Sequence, residues 1–257
     1  MAVRLHGVET GEGPPLLILH GLFGSARNWG GAARRLGERW RVHALDLRNH
    51  GASPWHSAMA YEDIAGDVQA YIQERSLAPC LILGHSMGGK AAMLLSLQSP
   101  ALVERLVVVD IAPVVYGHSH LPLIEAMRSV DLGAAARRAD VDAALRERIP
   151  DDAMRLFLLQ NLATRDGRLV WRINLEALAA GMDRLLGFPE LAAEAIFEQP
   201  ALFVAGELSD YLGVQRRPAV LRRFPAARFA VIPGAGHWVH AEQPDAFLRV
   251  VESFLGE

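Results

Sequence analysis

Short apolar runs alternate with amphipathic segments along most of the chain. The runs are rich in leucine, isoleucine and valine and are apolar at consecutive positions, which is typical of parallel strands covered on both faces. The alternation predicts an α/β fold in which helices flank a mostly parallel sheet. Strands are predicted at 16–20, 41–46, 80–84, 106–110, 201–205 and 228–232, with a weaker one at 3–8. Helices are predicted at 27–39, 61–76, 86–98, 215–223 and 241–255.

The alternation stops between residues 113 and 199, where the pattern is helical and no strand is predicted. Helices are expected there at 121–130, 141–148, 151–164 and 169–186, separated by proline and glycine. A helical segment between two core strands is expected to lie over the carboxyl edge of the sheet, where α/β folds hold their sites. We therefore expect an α/β core of residues 1–112 and 200–257 with an inserted helical cap of residues 113–199.

The composition narrows the function classes. The chain has 257 residues, with 26 basic and 29 acidic residues and a formal net charge of −3, so no nucleic acid and no anionic membrane surface is expected as a partner. No window approaches the ~18 uninterrupted apolar residues of a membrane span, and the first residues lack the pattern of a signal peptide, so a cytoplasmic protein is expected. The single cysteine, Cys80, stands in a predicted buried strand and is expected to be inert.

The most informative motif is Gly84-His85-Ser86-Met87-Gly88, which directly follows the predicted strand 80–84. A serine between a strand and a helix, with glycines two residues before and after it, indicates a nucleophile elbow. In such an elbow the serine adopts positive φ, and the glycines avoid collisions across the turn. We therefore predict that Ser86 is a catalytic nucleophile.

The base that would activate this serine is predicted to be His237. It lies in the loop Gly234-Ala235-Gly236-His237-Trp238, between the last predicted strand and the last helix, and follows serine and aspartate in the chain order of α/β-hydrolases. His240 is interpreted as an exposed or capping residue. His118 and His120 form an H-x-H pair without a further ligand at metal-binding spacing, so no metal site is expected.

Two aspartates compete for the role of orienting the histidine. Asp110 ends the apolar strand 106–110, where an unpaired carboxylate would be costly. Asp210 follows the strand 201–205, after which many hydrolases place their acid, but it is one position later than usual, and Ser209 occupies the usual place. From the residues alone both stay open.

The remaining site predictions concern the oxyanion and the substrate. The glycine-bounded stretch His20-Gly21-Leu22-Phe23-Gly24 is predicted to supply one backbone N–H, from Leu22 or, as a second choice, Phe23, and Met87 the other. The segment from Arg48 to Ser53 is interpreted as a structural turn and Lys90 as a solvated helix residue. The substrate pocket is predicted to include the aromatic residues Phe23, Phe157, Trp171 and Trp238.

These motifs, together with Asp46-Leu47-Arg48-Asn49-His50-Gly51 and Asp110-Ile111-Ala112-Pro113, resemble the α/β-hydrolase superfamily. The resemblance is closer to the YbfF-type bacterial esterases and their mitochondrial relatives, and it runs nearly from end to end. It implies a serine carboxylesterase with a helical cap and no cofactor. It also implies that the acid is the aspartate of the D-I-A-P stretch, Asp110, although this sequence offers Asp210 as well.

The predicted function is hydrolysis of carboxylic esters of short to medium acyl chains through an acyl-enzyme intermediate, with a small acyl ester or thioester as the partner. One alternative on the same fold is an acyl-CoA thioesterase or a hydrolase of carbon–carbon bonds. The segment 113–196 holds ten arginines against twelve acidic residues, which neither favours nor disfavours a nucleotide-bearing thioester. A second alternative is a ligand receptor without catalysis, which the complete set of candidate residues disfavours. The sequence makes no prediction of oligomeric state.

Overall fold

The computed structural model describes residues 2–257. Seven strands of this range form one sheet in the order β1-β3-β2-β4-β5-β8-β9, and every neighbouring pair is parallel except β1 with β3. This arrangement confirms the predicted α/β fold with a mostly parallel sheet. The strands are β1 His6–Thr10, β2 Pro15–Leu19, β3 Arg41–Asp46, β4 Cys80–His85, β5 Val103–Val109, β8 Ala201–Gly206 and β9 Ala227–Ile232.

Helices cover both faces of the sheet because alternate residues of each inner strand point to opposite sides. Leu16 and Ile18 belong to the core under the first and last helices, whereas Leu17 and Leu19 belong to a larger core shared with the other helices. The helices of this layered part are α1 Gly30–Leu36, α2 Tyr61–Glu74, α3 Met87–Gln98, α8 Arg217–Leu221, α9 Val239–Glu242 and α10 Pro244–Leu255. Within residues 2–257, no helix has the length and apolar character needed to cross a membrane.

The polypeptide between β5 and β8, called the insertion below, contains helices and one hairpin. Its helices are α4 Leu121–Arg128, α5 Arg138–Leu145, α6 Asp152–Leu159 and α7 Leu175–Leu186, and its strands are β6 Leu162–Arg165 and β7 Arg168–Trp171. The prediction of a strand-free segment was therefore wrong. The two helices predicted at 151–164 and 169–186 were too long at the ends that meet the hairpin.

The turn of the hairpin explains this error. Asp166 and Gly167 connect β6 to β7 with φ values of 51° and 75°, and two successive residues at positive φ form the tight turn that Asp-Gly pairs favour between antiparallel strands. The strands on either side have only four residues each. Such short strands leave too little alternation for a period of two to stand out against helical periodicity.

Several helix and strand ends also differ from the prediction. The weak N-terminal strand lies at His6–Thr10 instead of 3–8, and the predicted helix 27–39 is divided into the 3-10 turn Ala26–Trp29 and α1. The last predicted helix is interrupted before Pro244, which has no N–H to donate and begins α10 instead. Met1, the predicted start of the core, lies outside the described residues.

The turn after β3 is structural, as the sequence indicated. Arg48 is buried, and its guanidinium binds both carboxylate oxygens of buried Asp67 at 2.6 and 2.8 Å. A charge that leaves water needs such a paired, hydrogen-bonded partner. This pair joins the loop to α2 below the sheet edge that carries the site. Cys80 is buried as predicted, and burial raises the pKa of its thiol to about 12.

Candidate active site

Ser86 lies at a sharp turn between β4 and α3. Its backbone has φ 50° and ψ −116°, a conformation that a non-glycine residue adopts only when the surrounding structure enforces it. A side chain at Gly84 would collide with the carbonyl oxygen of Gly88, and one at Gly88 would collide with that of Leu19. The two motif glycines therefore allow the close packing that holds the serine in this position.

His237 lies beside Ser86 in the loop between β9 and α9. Its Nε2 is 3.1 Å from Ser86 Oγ, and its Nδ1 is 2.7 Å from Asp110 Oδ2. The carbonyl oxygen of His237 accepts a hydrogen bond from Nε2 of buried His85, 2.9 Å away, and burial keeps the pKa of His85 well below its usual value. His85, the residue before Ser86, thus holds the main chain of His237 in place.

Asp110 is fully buried immediately after β5, with φ 51°. Besides His237, its carboxylate accepts hydrogen bonds from the Ser209 hydroxyl and from the Gly206 N–H at 3.3 Å. Asp210 is exposed instead. The turn after β8, closed by the 3.1 Å bond from Ser209 N to Gly206 O, directs residue 209 inward and residue 210 outward. The structure therefore brings Asp110, and not Asp210, to the histidine.

The loop after β2 lies next to the same serine. Gly21 O accepts from Gly24 N at 3.0 Å, which closes a turn around Leu22 and Phe23, and Phe23 has φ 62°. The buried side chain of Asn161, from the insertion, donates to Phe23 O at 2.8 Å. A side chain of the insertion thus holds the strained residue Phe23 in this turn.

Met87 is the first residue of α3, where backbone N–H groups have no partner inside the helix. Leu22 and Met87 line one cavity together with Ser86. The N-terminus of the helix also carries partial positive charge. The surroundings of Ser86 therefore suit a developing negative charge.

The predicted pocket residues are divided between two places. Phe23, Phe157 and Trp238 line an open cleft that contains Ser86 and His237, and the rings of Phe157 and Trp238 are 5.2 Å apart. Trp171 lies elsewhere, in a surface groove with Trp55. It was placed on a helix by the sequence prediction, but it ends β7, and the hairpin turns it away from the cleft.

Lys90 is buried, so its interpretation as a solvated residue was wrong. Its Nζ donates to the carbonyl oxygens of Val114 and Leu186 at 2.9 Å each and also to that of Gly187. These carbonyls belong to the two ends of the insertion. Burial lowers the pKa of Lys90 to about 7. No other lysine occurs in the sequence.

Tyr211 and Ser209 are site residues that the sequence prediction missed. The Tyr211 ring stacks on His237, with centroids 4.0 Å apart and planes inclined by 23°. Both residues lie in the loop after β8, whose length and position were the only available signal. Their contacts depend on how that loop folds back over Asp110.

The other histidines near the site do not form a metal centre. His118 is exposed and binds the Tyr211 hydroxyl, whereas His120 lies between two cavities, where burial lowers its pKa to about 4. His240 stacks on Trp29 at 3.9 Å and burial lowers its pKa to about 3, so it is not the exposed or capping residue expected. Across residues 2–257, no group of three or more His, Cys, Asp or Glu side chains is placed to hold a metal ion.

Comparison with known proteins identifies the family of the chain. The profile of the alpha/beta hydrolase family matches residues 16–250. The sn-1-specific diacylglycerol lipase ABHD11 of Mus musculus is 40% identical over 250 residues, which cover 94% of this chain and 81% of that protein. Esterase YbfF of Escherichia coli is 37% identical over 244 residues, 95% of this chain and 93% of that one.

Solved structures show the same fold. The structure described as a marine microorganism esterase superposes with a TM-score of 0.95 at 37% identity, and the match covers 98% of this chain and 100% of that one. The resemblance to YbfF-type esterases and their mitochondrial relatives is thereby confirmed. The chain belongs to the alpha/beta hydrolase family and is an enzyme.

Proposed function

We propose that this enzyme is a serine carboxylesterase in which Ser86 is the nucleophile, His237 the base and Asp110 the residue that orients the base. The observation that carries the proposal is the continuous hydrogen-bonded chain from Asp110 through His237 to Ser86, with distances of 2.7 and 3.1 Å. The esterases among its relatives support the same reaction class. Every catalytic group in the proposed steps is a side chain or backbone N–H of this chain.

In the first half-reaction, Ser86 Oγ attacks the ester carbonyl carbon while His237 Nε2 takes its proton. The carbonyl oxygen becomes an oxyanion, which the N–H groups of Leu22 and Met87 stabilise. The bond from carbon to the alcohol oxygen then breaks, and His237 returns the proton to that oxygen. The products are a free alcohol and an acyl group bound to Ser86.

In the second half-reaction, water attacks the acyl carbon, and His237 takes a proton from it. Collapse of the second oxyanion breaks the bond to Ser86 Oγ, which regains a proton from His237, and the carboxylic acid leaves. Asp110 keeps Nδ1 of His237 protonated and stabilises the imidazolium in both halves. Because Asp110 also accepts from Ser209 and Gly206, its ring-facing oxygen is held in place.

We further propose the division of the chain into a hydrolase core of residues 1–112 and 200–257 and a cap of residues 113–199. Met154, Leu156 and Phe157 of α6 form a wall of the cleft beside Ser86. Because this wall is apolar, an acyl ester or thioester is a better fit than a sugar or a charged metabolite.

The direct test is hydrolysis of p-nitrophenyl butyrate by the parent and by Ser86→Ala. We expect kcat to fall at least about 10⁴-fold, since removal of a triad serine removes the covalent pathway. The control is Ser253→Ala, an exposed serine on α10, which should keep the parent rate. Unchanged hydrolysis by a folded Ser86→Ala protein would rule the proposal out. Rates on butyryl-CoA, measured beside them, compare thioester with ester.

A further inference from the structure

Two cavities of very different size meet at Ser86. The smaller has a volume of about 40 Å³ and the larger, the open cleft, about 780 Å³. Both are lined by Ser86, Leu22, His120 and Tyr211. Met87 lines only the small cavity, whereas His237 lines only the cleft. The proposed nucleophile therefore stands between a small pocket and a much larger cleft.

The position of His237 decides which part of an ester occupies which space. The leaving alcohol oxygen takes its proton from His237, so the alcohol must lie on the side of this ring. The acyl chain, on the other substituent of the carbonyl carbon, then points away from His237. His237 and Trp238 line the cleft and do not line the small pocket. The cleft therefore receives the alcohol, and the small pocket receives the acyl chain.

Three residues that line the small pocket, Ser86, Met87 and Lys90, lie along the first turn of α3. From Ser86 to Lys90 this turn rises only about 6 Å, at ~1.5 Å per residue. The volume of the pocket gives room for about three water-sized groups at roughly 10–15 Å³ each. At Lys90 an alkyl chain would meet the polar Nζ, which lies 4.8 and 5.5 Å from the ring centres of Tyr116 and Tyr61. A polar group that closes the end of the pocket is a poor environment for a longer alkyl chain.

We propose that the enzyme selects esters with a short acyl group, from acetyl to butyryl, and a large apolar alcohol. This selectivity rests on the proposed function and adds to it the assignment of the two halves of the substrate. The cleft offers the alcohol the apolar side chains of α6 and the paired rings of Phe157 and Trp238. Met182, Leu185 and Leu186 of α7 close the acyl pocket on the side of the insertion.

Two substrate series test the assignment separately. The first varies the acyl chain of p-nitrophenyl esters from acetate to octanoate with a constant leaving group, and the second varies the alcohol of acetate esters from ethyl to octyl. We expect kcat/KM to fall at least tenfold from butyrate to octanoate, because each excess methylene has no room in the pocket. Octyl acetate should react at least as fast as ethyl acetate.

Enlarging the acyl pocket should change kcat/KM values only in the first series, in which the acyl chain varies. In Leu186→Ala the backbone carbonyl that binds Lys90 is kept and the side chain is shortened, so the octanoate-to-butyrate ratio of kcat/KM should rise at least fivefold. Met182→Ala is a second variant of the same wall. Trp171 lies in a separate groove, so Trp171→Ala should leave this ratio unchanged.

The outcomes separate this inference from the function on which it rests. A rate that rises from butyrate to octanoate, or an acetate series that falls with alcohol length, overturns the assignment of the two spaces while the esterase stands. An octanoate-to-butyrate ratio that is unmoved in both wall variants also overturns it. A folded protein that hydrolyses no ester of either series overturns both the selectivity and the proposed function.

Discussion

The sheet core and the insertion hold the site in different ways. The core presents Ser86 and Asp110 directly after β4 and β5 and His237 in the loop after β9, and it keeps the first two at positive φ. The insertion adds none of these three groups. It packs on the core with buried apolar side chains and adds polar ties, such as the bond from Asn161 to the loop after β2 and those from Lys90 to its backbone carbonyls.

The core thus positions the reacting groups, whereas the insertion shapes the space around them. A residue at positive φ costs about 1 to 3 kcal/mol and persists only where its surroundings fix it, and strand ends in a packed sheet provide such surroundings. The insertion, which packs on this core and contributes no triad residue, shapes the space around the reacting atoms. Changes in the core should therefore affect the reaction far more than changes in the insertion or its ties.

The largest effect is expected from Asp110→Asn. An amide in place of the carboxylate favours the wrong tautomer of His237, and kcat for p-nitrophenyl butyrate should fall about 10⁴-fold, as in other triads with this change. The matched control is Asp210→Asn, an exposed aspartate one loop away, which should stay within about twofold of the parent. A larger loss in Asp210→Asn than in Asp110→Asn would reverse the assignment of the acid.

An intermediate effect is expected from Asn161→Leu. This variant keeps the shape of the side chain but removes the bond that holds Phe23 O beside the proposed oxyanion donor. Loss of a buried hydrogen bond of about 1 to 2 kcal/mol corresponds to a fall in kcat of about tenfold. Gln160→Ala removes an exposed side-chain contact with Asn28 at the rim of the cleft and leaves the bond to Phe23 O in place, so kcat should change less than twofold. Equal kcat values for the two variants would show that the insertion does not support this loop.

The last prediction concerns the stability of the fold instead of kcat, and it rests on Lys90. Burial lowers its pKa to about 7, whereas in the unfolded chain it titrates near ~10.4. Between these values the unfolded chain binds one more proton, so the contribution of Lys90 to the free energy of unfolding rises with pH there, by up to ~1.4 kcal/mol per pH unit, and is constant below about pH 7.

Because Lys90 is the only lysine of the chain, lysine labelled with ¹³C at Cε gives one signal to titrate. Its midpoint should lie near pH 7. Denaturant unfolding of the parent and of Lys90→Met should show a stability difference that changes between pH 7 and pH 10 in favour of the parent. A midpoint above pH 10 would mean that the amine is hydrated and that the tie to the insertion is open.

The sequence predicted the core well because its signals are local and independent. The apolar runs, the glycines around Ser86 and the loop of His237 each specify their element without reference to the rest of the chain. The choice between Asp110 and Asp210 was different. This choice depends on whether the turn after β8 directs residue 209 or residue 210 toward the histidine. A change of one residue in the length of that loop would exchange the two positions.

The insertion was predicted less well for a related reason. The Asp166-Gly167 pair was a signal for the hairpin, but strands of four residues on either side are hard to separate from helical periodicity, and Trp171 was misplaced with them. The buried state of Lys90 could not be predicted either, since α3 alone does not show that both ends of the insertion pack over its first turn.

The central claim is that the core forms a covalent intermediate on Ser86, and labelling with a fluorophosphonate followed by peptide mass analysis tests it most directly. Such reagents react with serines that an adjacent histidine activates, so we expect one adduct, located on the peptide that contains Ser86 and absent from Ser86→Ala. No adduct on the folded protein, or an adduct that persists in Ser86→Ala, would contradict the account.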